Sequence, residues 1–360
     1  MALSERSVDV KSWIWTKDVP WTEVWDGIQK NDPNGMFTQT SSWLGSYKAY
    51  GIDYELLLKV EDDQIVAGFG NLIFKAGPFL AYICPWGPFL TSEAYLQESI
   101  DVLIQRAKSL NAFCVQVNPS VFEDEKDTWN LLFAHFRFER GKIFRKIYLP
   151  TDFNLIELKE GKDSISDPQL LKSFSENAKR NIKAGLKISI DFHEAQTLEE
   201  IRAAYECFES NAAREGYSIR NWRDIKESLV DGVSKGNYQI LLAEYNGEIM
   251  GAIWTANGGL MKSYIMGGVD RSKGDLKLGH LLQWFSIKNA VELGYGFYNI
   301  SVGGSDGVVR FKKSFYPKAK SSIGPYFLKL NKWKFFFFIS LFPVFEKNKR
   351  LAAFFMKLLR

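Results

Sequence analysis

The pattern of apolar and polar residues from position 260 onward predicts a strand, a helix and a second strand. Met261–Met266 is apolar or aromatic at four of its six positions and ends at two glycines, which is typical of a strand. Between Leu278 and Leu293 apolar residues recur at helical spacing and Gly294 follows, which predicts an amphipathic helix. Phe297–Ser301 is short, aromatic and β-branched, as expected of a strand. The order indicates a strand–helix–strand crossover.

A glycine-rich turn follows the second predicted strand. Gly303, Gly304 and Gly307 permit a tight reversal into a short basic helix that contains Phe311 and Lys312. Open α/β sheets bind their ligands just beyond the ends of strands. The position of Lys312 therefore makes it a candidate functional cation.

The rest of the chain alternates between strand and helix patterns. The expected elements are an entry helix around Trp21 and Trp25, a helix up to about Tyr50 capped by Ser41 or Ser42, a hairpin of Tyr54–Val60 and Ile65–Phe74, helices over residues 94–110 and 128–136, and strands over residues 113–117 and 143–148. Residues 82–88 contain two prolines and a glycine, so no regular structure is expected there.

The two halves of the chain repeat this order at an offset of 184 residues. Leu56–Leu58 corresponds to Ile240–Leu242, and Phe113 corresponds to Phe297. An offset that holds across a hairpin, a helix and a strand indicates an internal duplication. The predicted fold class is therefore α/β with mixed sheets, in two domains of one fold (residues 1–150 and 151–330) and a tail (residues 331–360).

Composition narrows the functional classes. The chain has 360 residues, 46% of them hydrophobic, which is enough for two domains with separate cores. Its three cysteines lack disulfide or metal-ligand spacing, which favours a reducing compartment. The three histidines are too dispersed to suggest a metal cluster. Because neither a G-x-S-x-G motif nor a P-loop occurs, a serine hydrolase or a nucleotidase is not expected.

The positive charge is concentrated in the tail. The net charge is +4, residues 331–360 carry +6, and the remainder of the chain sums to −2. A global basic character suited to DNA is absent, and no DNA partner is expected. At the other end Glu5 and Asp9 precede any apolar segment, so no signal peptide is predicted.

The tail also contains an apolar run, Phe335–Phe345. A membrane-spanning helix needs roughly 20 apolar residues, and this run has 11 and contains Pro343. Its basic flanks suggest an interfacial anchor on the anionic inner face of a membrane. The alternative is that these phenylalanines pack on the first domain.

The crossover over residues 273–293 resembles the acyl-CoA pyrophosphate loop of the GNAT acetyltransferases. That family has the pattern Arg/Gln-x-x-Gly-x-Gly/Ala before such a helix. With the pattern aligned on Gly279, Lys277 replaces the earlier glycine and Gly274 replaces the arginine. A side chain at position 277 would crowd the close backbone approach that glycine permits. The resemblance thus covers the fold without the cofactor signature, and no cofactor is expected.

Four segments in order extend the resemblance to a single family. Phe37–Trp43 with Lys48 is similar to an F-x-Q-S-x-x-W-x-x-x-K entry, and Trp86–Pro88 is similar to an R-G-P turn with Trp in place of Arg. Asn177–Lys187 is similar to R-x-x-I-x-K-A-x-K-x-G, and Phe311–Phe315 matches F-K-x-x-F. Together these segments resemble the Fem family, tandem GNAT-like aminoacyltransferases that build peptidoglycan interpeptide bridges from aminoacyl-tRNA.

The resemblance implies roles for the acceptor-binding residues. Lys48 and Arg214 would bind the diphosphate of a UDP-linked or lipid-linked muropeptide, Tyr264 would line the acceptor channel, and Trp43 and Trp86 would contact substrate. Each role has a plain structural alternative. Lys48 suits a solvated helix surface, Arg214 suits a helix C-terminal cap, and Tyr264 suits strand packing.

The resemblance also implies residues for the donor. Phe311 and Lys312 would face the 3′ end of the aminoacyl-tRNA, with Lys312 stabilising the oxyanion. The basic residues Lys179, Arg180 and Lys183 would contact tRNA, although a solvated basic helix face explains them as well.

The implied function is aminoacyl-tRNA-dependent transfer of an amino acid to the amine of a peptidoglycan precursor stem peptide. The enzyme would be cytoplasmic, without a metal. One alternative is a GNAT-type N-acyltransferase that uses a thioester donor on another cell-envelope precursor. Another is a membrane-bound muropeptide-binding protein without chemistry, which the intact Phe311-Lys312 pair disfavours.

Overall fold

A computed structural model describes residues 12–123, 126–160 and 163–347 of the chain. Its strands, in chain order, are β1 (Trp13–Thr16), β2 (Asp53–Glu61), β3 (Gln64–Ala76), β4 (Phe79–Gly87), β5 (Phe89–Leu90), β6 (Cys114–Pro119), β7 (Glu139–Arg140), β8 (Asp152–Glu157), β9 (Lys159–Glu160), β10 (Asp163–Ser164), β11 (Asp191–Glu194), β12 (Tyr238–Tyr245), β13 (Glu248–Gly258), β14 (Met261–Val269), β15 (Phe297–Asn299), β16 (Lys318–Ser321) and β17 (Tyr326–Lys329).

Helices lie between these strands and after the last of them. They are α1 (Val19–Asn31), α2 (Ser41–Gly45), α3 (Leu96–Ser109), α4 (Asp127–His135), α5 (Asp167–Ser173), α6 (Glu176–Gly185), α7 (Leu198–Glu215), α8 (Trp222–Ser234), α9 (Leu278–Glu292), α10 (Asp306–Lys313) and α11 (Lys332–Lys347). Short 3₁₀ segments cover Phe37–Gln39, Ser46–Tyr50 and Glu93–Tyr95.

The chain divides into two compact units. The first comprises the described residues up to Asp26, then Thr38–Thr151, then those from Ser322 onward; the second comprises Gly27–Phe37 and Asp152–Ser321. Residues 322–330, which the sequence analysis assigns to the second domain, thus lie in the first unit. The reason is that β17 pairs antiparallel with β6 in the first sheet.

The first unit is built on a mixed sheet with the strand order β1-β2-β3-β4-β6-β17-β7, and β5 pairs with β3. Strands β4 and β6 are parallel and their neighbours are antiparallel. The crossover between them contains α3, whose apolar residues recur at helical spacing. Ile100, Leu103 and Ala107 are buried against the sheet core. This arrangement confirms the predicted α/β class for this unit.

The second unit repeats this arrangement, with the order β11-β12-β13-β14-β15-β8-β16. Strands β14 and β15 are parallel and are joined by α9, as the apolar pattern predicts. Helix α9 is buried on most of its sides, and Leu281, Ile287 and Ala290 are among its buried residues. Helix α10 follows β15 after the glycine-rich turn.

The two hairpins share an irregularity that supports the duplication. The β2–β3 ladder shifts register between Lys59 and Val60, and the β12–β13 ladder shifts between Ala243 and Glu244. These positions are 184 residues apart, which is the offset between the two halves of the sequence. A β-bulge twists and bends its strand, so two copies at equivalent positions give both sheets the same local curvature.

The prediction that residues 82–88 have no regular structure is wrong, because residues 82–87 form most of β4. The strand tolerates its proline because the ladder between β4 and β6 is irregular from Cys84 to Gly87. Pro85 lies inside that interruption, where a missing backbone N–H removes no regular ladder bond. The peptide bond from Gly87 to Pro88 is cis.

Two other local predictions are also wrong. Residues 143–148 form no strand; Phe144 and Ile147 are buried there from an irregular segment. The cap of α2 is Thr40, whose side chain accepts from the Trp43 N–H, and neither Ser41 nor Ser42. The Ser41 hydroxyl instead donates to Asp26 at 2.6 Å.

Helix α11 packs on the first unit. The ring of Phe338 lies 4.9 Å from that of Phe113 and 5.7 Å from that of Phe79, and Phe335 stacks on Phe327. The packing alternative for the phenylalanines therefore holds for the inward face of this helix. The helix continues through Pro343, which was expected to interrupt it. Residues 348–360, including the basic end of the tail, lie outside the described residues, as do Glu5 and Asp9.

Within the described ranges, no helix combines the length and the apolar character needed to cross a bilayer.

Candidate active site

Lys312 is buried in the second unit. It lies in the last turn of α10, and only 4% of the residue is exposed. Its Nζ donates to Ser301 Oγ at 2.6 Å and to the Gly303 carbonyl at 2.6 Å. The same Nζ lies 5.2 Å from the ring centroid of Tyr264. Although Lys312 belongs to a basic run of the sequence, α10 directs its side chain inward, toward the turn that follows β15.

The turn after β15 fixes the position of these oxygens. Ser301 has a φ of 63° and Gly304 a φ of 136°, so the chain reverses sharply there. A Cβ on Gly304 would lie 2.5 Å from Cγ1 of Val308, in the first turns of α10. Glycine is thus required at position 304 both for its backbone angles and for close packing against the helix.

Burial changes the acid–base behaviour of Lys312. Both of its hydrogen-bond acceptors are neutral oxygens, which stabilise an ammonium ion less than a carboxylate does. Desolvation by burial lowers the pKa of Lys312 to about 8. Near neutral pH the side chain is mostly protonated, yet it can lose its proton within the physiological range.

Tyr264 contributes a buried phenol to the same site. It lies on β14, and its hydroxyl accepts from the Gly267 backbone N–H. Burial raises its pKa well above the usual value, so the phenol stays protonated at neutral pH. The Tyr264 side chain is therefore neutral, and it is its ring that faces the Lys312 ammonium.

Aromatic rings pack around Phe311, the residue that precedes Lys312 in α10. Phe311 contacts Phe315 at 5.4 Å and the His280 ring at 4.9 Å, both edge to face. Burial lowers the pKa of His280 to about 4, so its imidazole is neutral. Because Lys312 is almost completely buried, little water reaches its ammonium, which strengthens its electrostatic effect on any charge that develops nearby.

His280 and Ser301 are the site residues that the sequence reasoning missed. Ser301 ends a predicted strand just before the three glycines, and that position could have marked it. His280 lies in the first turn of α9, where no motif in the sequence marks it as a site residue.

Arg214 lies in the second unit at the C-terminal end of α7. Its guanidinium donates to the Val269 carbonyl at 3.1 Å and to the Asn211 side chain, and lies 3.6 Å from Glu215. Val269 is the last residue of β14, the strand that also contains Tyr264. Arg214 therefore joins the helix end to the strand end, and two of its contacts are to neutral oxygens.

Lys48, Trp43 and Trp86 lie in the first unit. Lys48 is exposed on the 3₁₀ segment Ser46–Tyr50. Trp43 packs edge to face on Tyr148, and Trp86 packs in the same way on Phe122. Both tryptophans are buried, so their rings belong to the core of this unit.

The basic residues of the predicted tRNA contact lie on α6 of the second unit. Lys179 forms an ion pair with Glu176, and Arg180 donates to Asn177 at 2.9 Å. Lys183 and Arg180 are exposed. The opposite side of α6 packs tightly against α9. A Cβ on Gly185 would lie only 2.7 Å from the side chain of Leu281 in α9.

The segment before α9, which resembles the acyl-CoA pyrophosphate loop, has a backbone conformation typical of glycine at Lys277. Lys277 has a φ of 60°, a left-handed conformation that glycine usually adopts, and it immediately precedes α9. Its ammonium pairs with Asp275. Position 277 thus has a backbone conformation typical of glycine, although a lysine occupies it.

Comparisons with known proteins identify the fold. A family model described as an acetyltransferase (GNAT) domain matches residues 172–313. The crystal structure of FemX has a TM-score of 0.75 at 15% identity, covering 93% of this chain and 99% of that chain. No curated protein matches this chain.

Two further solved structures are similar over most of their length. L-PGS from Bacillus licheniformis has a TM-score of 0.54 at 14% identity, with 90% of this chain and 95% of that chain covered. The C-terminal domain of a putative lysylphosphatidylglycerol synthetase from Agrobacterium fabrum has a TM-score of 0.53 at 10% identity, with 85% of this chain and 90% of that chain covered. The chain therefore has a Fem-like fold of two tandem GNAT-like domains.

Proposed function

We propose that this protein transfers an amino acid from aminoacyl-tRNA to the amine of a peptidoglycan precursor stem peptide. The observation that carries the proposal is the buried Lys312 ammonium, held 2.6 Å from Ser301 Oγ beside Tyr264. It lies within the Phe311–Phe315 segment that resembles the Fem motif, in a fold similar to that of FemX. A buried cation on neutral partners costs folding free energy, which is consistent with a role in stabilising transient negative charge.

The proposed chemistry is aminolysis of an activated ester. The acceptor nitrogen attacks the ester carbonyl carbon, the carbonyl oxygen becomes an oxyanion, and the bond to the tRNA ribose oxygen then breaks. The proton lost by the acceptor amine goes to that ribose oxygen. Aligning the two substrates supplies several kcal/mol, and a cation at the oxyanion adds about 2–4 kcal/mol. Lys312 is the proposed cation, and Phe311 the proposed contact to the tRNA 3′ end.

The acceptor diphosphate is assigned to Lys48 and Arg214, with Tyr264 along the acceptor path and Trp43 and Trp86 supporting it. Arg214 can exchange its bonds to the Val269 carbonyl and Asn211 for bonds to phosphate oxygens. A guanidinium binds phosphate through two parallel N–H bonds and gains charge pairing in the exchange.

The donor and the location complete the proposal. Lys179, Arg180 and Lys183 are the proposed contacts to the tRNA backbone. Because aminoacyl-tRNA is a cytoplasmic substrate, the enzyme would act in the cytoplasm, and the C-terminal segment would contact the inner face of the plasma membrane.

A reconstituted transfer assay tests this function. The full chain would be incubated with a mixture of charged tRNAs and with UDP-linked or lipid-linked muropeptide. Ribonuclease-sensitive addition of an amino acid to the stem peptide is the expected result, and Lys312→Met is the matched inactive variant. Phosphatidylglycerol belongs in the assay as a third acceptor, since L-PGS has a similar fold.

The glycine-like backbone of Lys277 favours one second candidate, a GNAT N-acyltransferase with a thioester donor. Binding of acetyl-CoA, measured by calorimetry, separates the two. Ribonuclease-resistant transfer from acetyl-CoA would replace the tRNA-dependent proposal, whereas the absence of binding would leave only the ester donor.

A further inference from the structure

Helix α11 has an inward face that anchors it to the first unit. Phe338 is buried among Phe74, Phe79, Phe113 and Phe144, with ring centroids 4.9–5.9 Å apart. Fixed in this way, the helix is already formed and oriented in the free protein. A partner that binds the other face therefore does not have to offset the entropy cost of ordering the helix.

The outward face of α11 is aromatic and exposed. Trp333 is 77% exposed, Phe336 64% and Phe337 51%, and Ile339 lies beside them. Trp333 is three and four positions before the two phenylalanines, so the three side chains lie on one face of the helix. Lys332 and Lys334 flank Trp333 in sequence, and no acidic residue occurs between positions 331 and 345. Contiguous exposed aromatic residues on a soluble fold mark a binding surface.

We propose that this outward face docks the protein on an anionic lipid bilayer. Trp and Phe side chains partition into the interface between headgroups and acyl chains, and lysines beside them attract anionic headgroups. Residues 331–360 carry a net charge of +6, whereas the rest of the chain sums to −2, so attraction to the bilayer is directed at this end. A second copy is the poorer occupant, because a symmetric contact would bring together two surfaces of the same positive charge.

This inference deepens the membrane contact in the proposed function by assigning it to named residues and to a lipid charge. It rests on that proposed contact but does not require the transfer chemistry. Binding to vesicles can be measured without any substrate, so failure of docking and failure of the transfer reaction are separate results.

Vesicle flotation tests the docking surface. The full chain would be mixed with vesicles of phosphatidylcholine alone or with added phosphatidylglycerol. The triple variant Trp333→Ser/Phe336→Ser/Phe337→Ser should lose more than about tenfold in partitioning onto the anionic vesicles. The control is Leu131→Ser on α4, an apolar residue that is 72% exposed, and it should bind as the parent does.

The charge variant Lys332→Gln/Lys334→Gln keeps the aromatic face and tests the second half of the proposal. It should lose roughly fivefold in partitioning per lysine, and only on vesicles that contain phosphatidylglycerol. It also serves if the triple variant unfolds, which circular dichroism would report. Equal partitioning of parent and both variants would overturn the proposal. Self-association of the parent that the triple variant abolishes, without vesicle binding, would assign the face to a second copy.

Discussion

The Lys312 ammonium donates a hydrogen bond of 2.6 Å to the hydroxyl of Ser301, which lies 11 residues earlier at the end of the crossover. The partner is neutral, and the second acceptor, the Gly303 carbonyl, is neutral as well. A lysine in this setting keeps an unneutralised charge inside the protein. Its next residue, Lys313, is exposed on the same helix and provides a natural comparison.

The first prediction concerns the charge of Lys312. Lys312→Met keeps most of the side-chain volume and removes the cation from the proposed oxyanion site. We expect kcat for amino-acid transfer to fall by about 10²–10³, the range for loss of one oxyanion donor, with little change in the KM of the acceptor. Steady-state kinetics with charged tRNA and muropeptide would measure it.

Lys313→Met is the control for this prediction, because it removes an equal charge from the adjacent position. Its kcat for amino-acid transfer should be nearly that of the parent. Equal losses at both positions would indicate a diffuse electrostatic contact with tRNA, which would be recognised by a salt-dependent KM.

The second prediction is a pH dependence of catalysis. An oxyanion donor must be protonated, and burial lowers the pKa of Lys312 to about 8. We therefore expect kcat to fall as the pH rises through about 8, well below the range in which an ordinary lysine titrates. The pH profile of single-turnover transfer, corrected for spontaneous ester hydrolysis, would show this limb. A profile that stays flat up to pH 10 would contradict it.

The third prediction is a pH dependence of stability. The pKa of Lys312 is lower in the folded state (about 8) than its usual value of 10.5, so the unfolded chain binds more protons between these values. The stability of the parent chain should rise with pH across this window by up to roughly 3 kcal/mol from this group. Lys312→Met removes the contribution, so its stability relative to the parent should decline from pH 7 to pH 10. Urea unfolding at both pH values measures the difference.

The sequence allowed prediction of the features that depend on local periodicity. The α9 pattern of Leu281, Leu282 and Phe285 predicted a helix, and the constant offset of 184 residues predicted two similar sheets. Apolar spacing and repeated order are visible in one sequence because they reflect burial within each element.

Other features depend on contacts between distant segments and were not predictable in this way. Lys312 occurs in a basic run that suggests exposure, yet it contacts Tyr264 on β14 and Ser301 in the turn after β15. Likewise Tyr326–Lys329 completes the first sheet from beyond the second unit, where no local pattern indicates the partner strand. The strand through Pro85 required an irregular ladder that the sequence does not show.

The fourth prediction concerns acceptor binding. Arg214→Ala and Lys48→Ala should each raise the apparent KM of diphosphate-containing acceptors, because each removes a charge-assisted contact worth roughly 1.5–3 kcal/mol when sheltered from water. Acceptors without the diphosphate should bind variant and parent alike. Kinetics with both acceptor types would measure this.

Arg202→Ala is the matched control for Arg214. Arg202 is on the same helix with similar side-chain exposure, 35% against 33%, and it forms an ion pair with Glu206. It should leave the KM of both acceptors unchanged. If Arg214→Ala weakened both acceptor types equally, its role would be to hold the Val269 end of β14 and not to bind phosphate.

The last prediction concerns the turn that holds Lys312. Gly304 has a φ of 136°, which side-chain-bearing residues rarely adopt, and its substituted Cβ would lie 2.5 Å from Val308 Cγ1. Gly304→Ala should therefore cost about 1–3 kcal/mol of stability and displace the Gly303 carbonyl from Lys312, lowering kcat. Gly303→Ala is the control, because a Cβ there meets no atom within 4 Å. Thermal unfolding and transfer kinetics of the two variants would show whether the alanine acts through this turn, since a general loss of backbone flexibility would affect both equally.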